Sequence, residues 1–184
     1  MIFFTADEHF GHANIIKYCN RPFSNVEEMD EMIIAAHNRL VNNDDVVYHL
    51  GDFTLKRRSK AQQIIERLNG KQHIFIRGSH DRWLDDTAQH IFAQENAQRI
   101  IETKIEGQII VLCHYSMRVW HKSHYNSWQL FGHSHGLLKP IGKQWDVGVD
   151  NNNFEPVSFE KLKKIMAKRP DNFNFIHKNK TFRA

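Results

Sequence analysis

Along the chain, short apolar runs break off repeatedly into glycine, aspartate or histidine. Ile2, Phe3 and Phe4 form a continuous apolar run that suits a strand buried on both faces, and Asp7 and His9 follow it. Val46, Val47, Tyr48 and Leu50 predict a second strand over 45–52, where Gly51 lets the backbone turn and Asp52 reaches the rim of a sheet. A strand over 73–77 runs into Gly78, Ser79, His80 and Asp81. Strands over 97–106 and 108–113 form a hairpin near Glu106-Gly107, and the second runs into His114. The apolar stretch 128–131 runs into Gly132, His133, Ser134 and His135, and a last strand covers 144–149.

Between these runs the period lengthens to that of a helix. Val26, Met29, Ile33, Ala36 and Leu40 predict an amphipathic helix over 26–40 behind a capping box, Ser24-Asn25-Val26-Glu27, with His37 at its surface or partly packed. A second helix is predicted over 61–68, closed by Asn69-Gly70, and a third over 159–169, capped by Ser158 and stopped by Pro170. The stretch 83–92 reads as a loop or short helix, and the polar, basic, Phe-containing tail to Ala184 is expected to pack partly on the body. Strands alternating with helices give an α/β fold, and 184 residues fit one domain over 1–184.

Composition narrows the function classes. At 41% hydrophobic and 25% charged residues the chain is not disordered. A net charge of +4 favours an anionic substrate without demanding a nucleic acid. The basic run Lys56, Arg57, Arg58 and Lys60 reads first as a solvated helix start, with phosphate steering as the lesser alternative. Cys19 and Cys113 are too few for a disulfide framework, and no run reaches membrane-spanning length, so the expectation is a cytoplasmic protein with no membrane partner. Thirteen histidines are unusual, and position decides which of them are ligands.

Asp7 and His9 are two residues apart, so in extended backbone both point the same way and can grip one ion. If the strands share one core, their ends bring Asp7, His9, Asp52, His114, His133 and His135 together. Carboxylate with imidazole suits Mn, Fe, Zn or Ni better than Mg or Ca. Each residue alone has an ordinary reading as a loop residue or helix cap. His12 and Asn14 could reach a substrate, although a capping role for Asn14 is at least as good. Tyr115, Trp120 and Trp128 could form an apolar pocket wall, although packing over the sheet end is the commoner explanation. His121 and His124 read as surface residues.

The ordered set Asp7-x-His9, Gly51-Asp52, Gly78-Ser79-His80-Asp81, His114 and Gly132-His133-Ser134-His135 resembles the calcineurin-like metallophosphoesterase superfamily. The resemblance implies an αββα four-layer sandwich with a two-metal site at the strand C-terminal ends. Asp7, His9 and His135 would hold one divalent transition-metal ion, Mn foremost with Fe, Zn or Ni as alternatives. Asp52 would bridge, and His114 and His133 would hold the second ion, with a hydroxide between the two attacking phosphorus. His80 would serve the leaving oxygen as a catalytic acid, with Asp81 orienting it. One position departs from the pattern: the family has Asn where this chain has Ser79, a shorter ligand for the second metal. Water-assisted coordination, a weakened or single-metal enzyme, and a substitution introduced to slow turnover all remain open.

The reading that follows is a metal-dependent phosphoesterase on a small phosphodiester, nucleotide-like because Tyr115, Trp120 and Trp128 could stack on a base, or on a phosphomonoester. His12 and Tyr115 are the candidate substrate-binding residues. A metal-binding scaffold without turnover and a nuclease on polymeric nucleic acid are the alternatives.

Overall fold

In the computed structural model, which describes residues 1–85 and 98–173, eight strands form two four-stranded sheets. The first runs β3 (Gln72–Phe75), β2 (Val46–His49), β1 (Ile2–Thr5) and β8 (Val157–Ser158). Its first three strands are parallel, with Phe4 opposite Tyr48 and Tyr48 opposite Ile74, and β8 adds an antiparallel edge. The second runs β4 (Ile100–Ile105), β5 (Gln108–Cys113), β6 (Trp128–Phe131) and β7 (Gln144–Asp146), an antiparallel hairpin followed by parallel pairs.

Side-chain alternation decides what each face buries. Phe4, Leu50 and Ile76 of the first sheet and its strand exits pack with Ile110, Leu112, Trp128 and Leu130 of the second, so one core lies between the sheets. Helix α4 (Phe159–Met166) adds Phe159, Leu162 and Met166 to that core. Contacts of α4 with Trp128 and with Glu106 at the β4–β5 turn place it away from the strand C-terminal ends. The outer side of the first sheet is covered by α1 (Ala13–Tyr18), α2 (Val26–Leu40) and α3 (Arg58–Ile65), which bury Ile15, Met29, Ile33, Ala61 and Ile65 against Phe53 and Phe75. Among the described residues no helix covers the outer face of the second sheet. There the segment 115–127 is tied down by Gln129 and Gln144, whose amides bond the backbone of Tyr115 and Met117. The fold is mixed α/β with two facing sheets, and its fourth layer here is irregular chain. No helix among the described residues is long and apolar enough to cross a membrane.

The elements follow the hydrophobic pattern, with differences at the ends. Asn25, not Ser24, caps α2: its side chain accepts from Glu28 N at 2.8 Å, and Glu28 rather than Glu27 returns a bond to Ser24 N. Such a cap stabilises by about 1 kcal/mol. Ser158 caps α4 as expected. Helix α3 begins three residues before 61, and the short α1 starts at Ala13, so Asn14 lies inside a helix and caps nothing. The two-residue β8 is too short to show a period. The 83–92 stretch begins as a 3-10 turn, Arg82–Asp85, and its remainder, like the tail from 174, lies outside the described residues.

Candidate metal centre

Beyond the strands, the chain exits stay side by side. Asp7 N donates to Gly51 O at 3.0 Å, His9 N to Asp52 O at 3.0 Å, and Phe10 N to Phe53 O at 2.9 Å. Val149 N donates to Ala6 O at 3.0 Å, so the exits of β1 and β7 join the two sheets at this end. Gly78 permits the closest approach: a Cβ there would come within 2.3 Å of Asp52 Oδ1. The convergence leaves two groups of donor atoms, each within 4.8 Å: Asp7, His9 and His135, and Asp52, His114 and His133. Asp52 Oδ2 lies between them, 3.7 Å from His9 Nε2 and 3.3 Å from His114 Nε2.

Three buried atoms at this centre, Asp7 Oδ1, His9 Nε2 and His114 Nε2, have no hydrogen-bond partner among the described residues. A buried polar atom without a partner costs about 1–3 kcal/mol, and cations at the centre would satisfy all three. The tautomers agree with this. His114 Nδ1 donates to Leu50 O at 2.8 Å and His135 Nδ1 donates to Asp150 Oδ2 at 2.7 Å, which leaves each Nε2 with its lone pair for an ion. The donor set therefore fits bound metal ions. Burial pushes the Asp7 carboxyl well above its ordinary value and the His9 imidazole down to about 3. Burial would also raise Asp52, but the neighbouring His114 imidazole and the His80 N–H outweigh it and hold the carboxyl below the usual range.

The first group is braced from behind. Arg21, 4% exposed, donates to both Asp150 oxygens at 2.8 and 2.7 Å and to the carbonyls of Asp7 and Glu8 at 2.7 and 3.1 Å. Asp150 in turn holds His135, and that bond raises the imidazole value although burial, the largest influence, opposes it. Asp146, also buried, accepts from Ser134 Oγ, Gly136 N and Gly148 N and so shapes the 132–136 loop. Arg21, Asp146 and Asp150 are absent from the sequence reading. Asp146 ends a strand like the ligands do, and that was a usable signal; Arg21 gives none. Cys19 also approaches His135 and Asp150, but Asp150 is already occupied and burial pushes the thiol up to about 11, so we assign no third ion there.

The second group is more open. His133 is exposed, and Ser79 Oγ bonds the Asp52 carboxylate at 2.9 Å. His80 stands at the surface with Nε2 3.9 Å from Asp52 Oδ2. Asp81 corrects the expectation of a partner for His80. It is buried and accepts four bonds, from Asp52 N, Phe53 N, Gly78 N and Trp83 Nε1, so it holds the loop that carries Asp52. His12 faces the centre, with its Nδ1 3.4 Å from that of His9. Tyr115 lies beside His133 at 4.8 Å between centroids. Trp128 is in the intersheet core and Trp120 is buried against Ser127 O, so neither forms a wall at this end. The cleft above the donor atoms holds about 620 Å³ and is walled by Ile15, Tyr18, Leu55 and Leu137, all outside the sequence reading.

A second histidine cluster lies behind the centre. Glu8 bonds His49 at 2.6 Å, His49 bonds His73 at 2.9 Å, and the rings of His37 and His49 stack. His37 is thus buried rather than at the surface, and His121 pairs with Glu102 in the open.

Fold and site together define a mixed α/β protein whose two mixed sheets meet at a candidate metal centre of aspartates and histidines. The chain is 36% identical over 176 residues to the uncharacterized protein MJ1445 of Methanocaldococcus jannaschii, covering 91% of this chain and 92% of the relative, and it belongs to that family. A protein of unknown function from Aquifex aeolicus, AQ665, has the same fold at a TM-score of 0.70, with 23% identity over 90% of this chain and 98% of that one. The phosphoesterase Yfce of E. coli, at 18% identity over 80% and 75% with a TM-score of 0.41, is too remote to carry weight. No family profile matches the chain.

Proposed function

We propose that the chain is a metal-dependent phosphoesterase acting on a small phosphodiester or phosphomonoester. The observation that carries this reading is the convergence of the unpartnered atoms Asp7 Oδ1, His9 Nε2 and His114 Nε2 at strand exits from both sheets. Asp7, His9 and His135 would hold one ion, and His114 and His133 the other, with Asp52 shared and Ser79 bonded to it. Mn is the first candidate, with Fe, Zn or Ni as alternatives for this donor set. Bound there, such ions supply an activated water and neutralise charge on the phosphoryl oxygens.

The chain's own residues supply the rest. His80, at the mouth beside Asp52, donates a proton or hydrogen bond to the leaving oxygen. Asp81 fixes the Asp52 loop, and Arg21 with Asp150 fixes His135. His12 reaches the substrate from the start of α1. Tyr115, beside His133, is the remaining candidate contact. The nucleotide-like preference no longer rests on Trp120 or Trp128.

The test is hydrolysis of bis(p-nitrophenyl) phosphate and p-nitrophenyl phosphate with Mn, Ni or Zn, against a chelated control. Turnover that needs the ion, and that falls about a hundredfold in His80→Gln, is the expected result. A chain inert toward both esters in every ion would be a metal-binding scaffold instead.

A further inference from the structure

Chemistry at the floor of the cleft explains how a phosphoryl group is held; the walls concern what is attached to it. Among the described residues no lysine or arginine lines the cleft, so its described walls are not built for a second phosphate or for the backbone of a polymer. The walls are apolar and aromatic. Tyr18 is 73% exposed, Leu137 91% and Leu55 45%, and all three border the same opening. Side chains this apolar, left this open and gathered around one cleft, mark a surface that a ligand covers. Rings form a row from rim to floor: Tyr18 to His12 at 6.2 Å, His12 to His9 at 5.3 Å, and His12 to His80 at 6.3 Å between centroids. Of the basic run, Arg57 and Lys60 are exposed outside this lining, and Lys56 packs over Gly11 at the cleft's edge.

We propose that the cleft is a subsite for an uncharged aromatic ester group, the part of a single phosphoester that stays beside Tyr18, Ile15, Leu55 and Leu137 while the other oxygen leaves past His80. The substrate is monomeric, and Tyr18 and Leu137 are its specificity determinants. This rests on the phosphoesterase reading and adds the substrate class. A ring on Tyr18 gains face and edge contacts worth about a factor of ten over a methyl group.

A set of 4-nitrophenyl phosphodiesters keeps the leaving group constant and varies the other ester group among methyl, hexyl, phenyl and thymidine-5′. With Mn present, the phenyl and thymidine esters are expected to exceed the methyl ester in kcat/KM by about tenfold. Tyr18→Ala and Leu137→Ser should bring the phenyl-to-methyl ratio towards one, with circular dichroism confirming that both variants fold. Equal rates for phenyl and methyl, a preference for hexyl, or an unchanged ratio in both variants overturns the subsite while leaving the phosphoesterase reading standing. If no ester turns over, the phosphoesterase reading fails. Calorimetry then decides the subsite: tighter binding of phenylphosphonate than methylphosphonate, lost in Tyr18→Ala, upholds it, and equal binding overturns it.

Discussion

The two donor groups lie side by side but are built differently. Asp7, His9 and His135 sit under a buried scaffold in which one guanidinium ties Asp150 to the backbone of two consecutive residues, Asp7 and Glu8. In the second group Asp52 and His114 are buried too, but His133 is exposed and a serine hydroxyl stands where the resemblance implies an amide. The difference teaches that one half is braced by a buried ion pair while the other, held by the Asp81 loop and Leu50 O, leaves one of its histidines free of such a brace. It also locates the Ser79 departure in the half where water has access.

The largest effect should come from the residue the halves share. Asp52→Asn removes the carboxylate charge from both groups and should lower kcat at least about a thousandfold, read as initial rates across a Mn titration. Next comes the brace. Asp150→Asn should weaken ion binding by about 10- to 100-fold, measured by competition with a chelating dye, and Arg21→Met should do the same and cost about 3–5 kcal/mol of folding stability in urea titrations. If Asp150→Asn binds ions as tightly as the unaltered chain, the contrast between the halves collapses.

A smaller effect follows from the histidine cluster behind the braced half. Burial pushes His37 down to about 4 and His49 and His73 to about 3, from 6.5 in the open chain. Below 6.5 the unfolded chain takes up protons that the folded one refuses. Their contribution is complete above that value and falls as the solution is acidified toward 4, by roughly 1.4 kcal/mol per histidine per pH unit. Melting temperature measured from pH 7 to 5 should drop accordingly, and His37→Gln should flatten the drop. The smallest change is Ser79→Asn, which lengthens the ligand in the open half. About fivefold less Mn should then be needed for half-maximal rate; an unchanged requirement would mean that water or another residue already completes that site.

Much of this was legible in the chain because strand ends are local. A short apolar run ending in aspartate or histidine needs few residues to show itself, and the order of five such endings carries the resemblance to the superfamily. What was not legible depends on residues far apart. Arg21 and Asp150 are 129 positions from one another, and nothing around either announces the pair. Whether Asp81 would turn toward His80 or into the protein depended on four donors around it, two of them on the β2 exit. Trp120 and Trp128 looked like cleft residues because they follow His114, but the alternation of β6 sends Trp128 into the core.

Backbone conformation gives the centre a history as well as a mechanism. Asp7, His9, Asp52, His133 and His135 all have φ between 47° and 67°, the left-handed region that side chains other than glycine enter at a cost of about 1–2 kcal/mol each. Glycine or asparagine would relieve that backbone cost, at the loss of such bonds as those Asp7 accepts from His133 N and His135 gives to Asp150. Under the proposed function, selection on chemistry keeps these residues there against a standing backbone cost. A lineage released from that chemistry should lose them quickly and in this direction, so glycine or asparagine at these five positions would mark a descendant that has stopped turning over substrate.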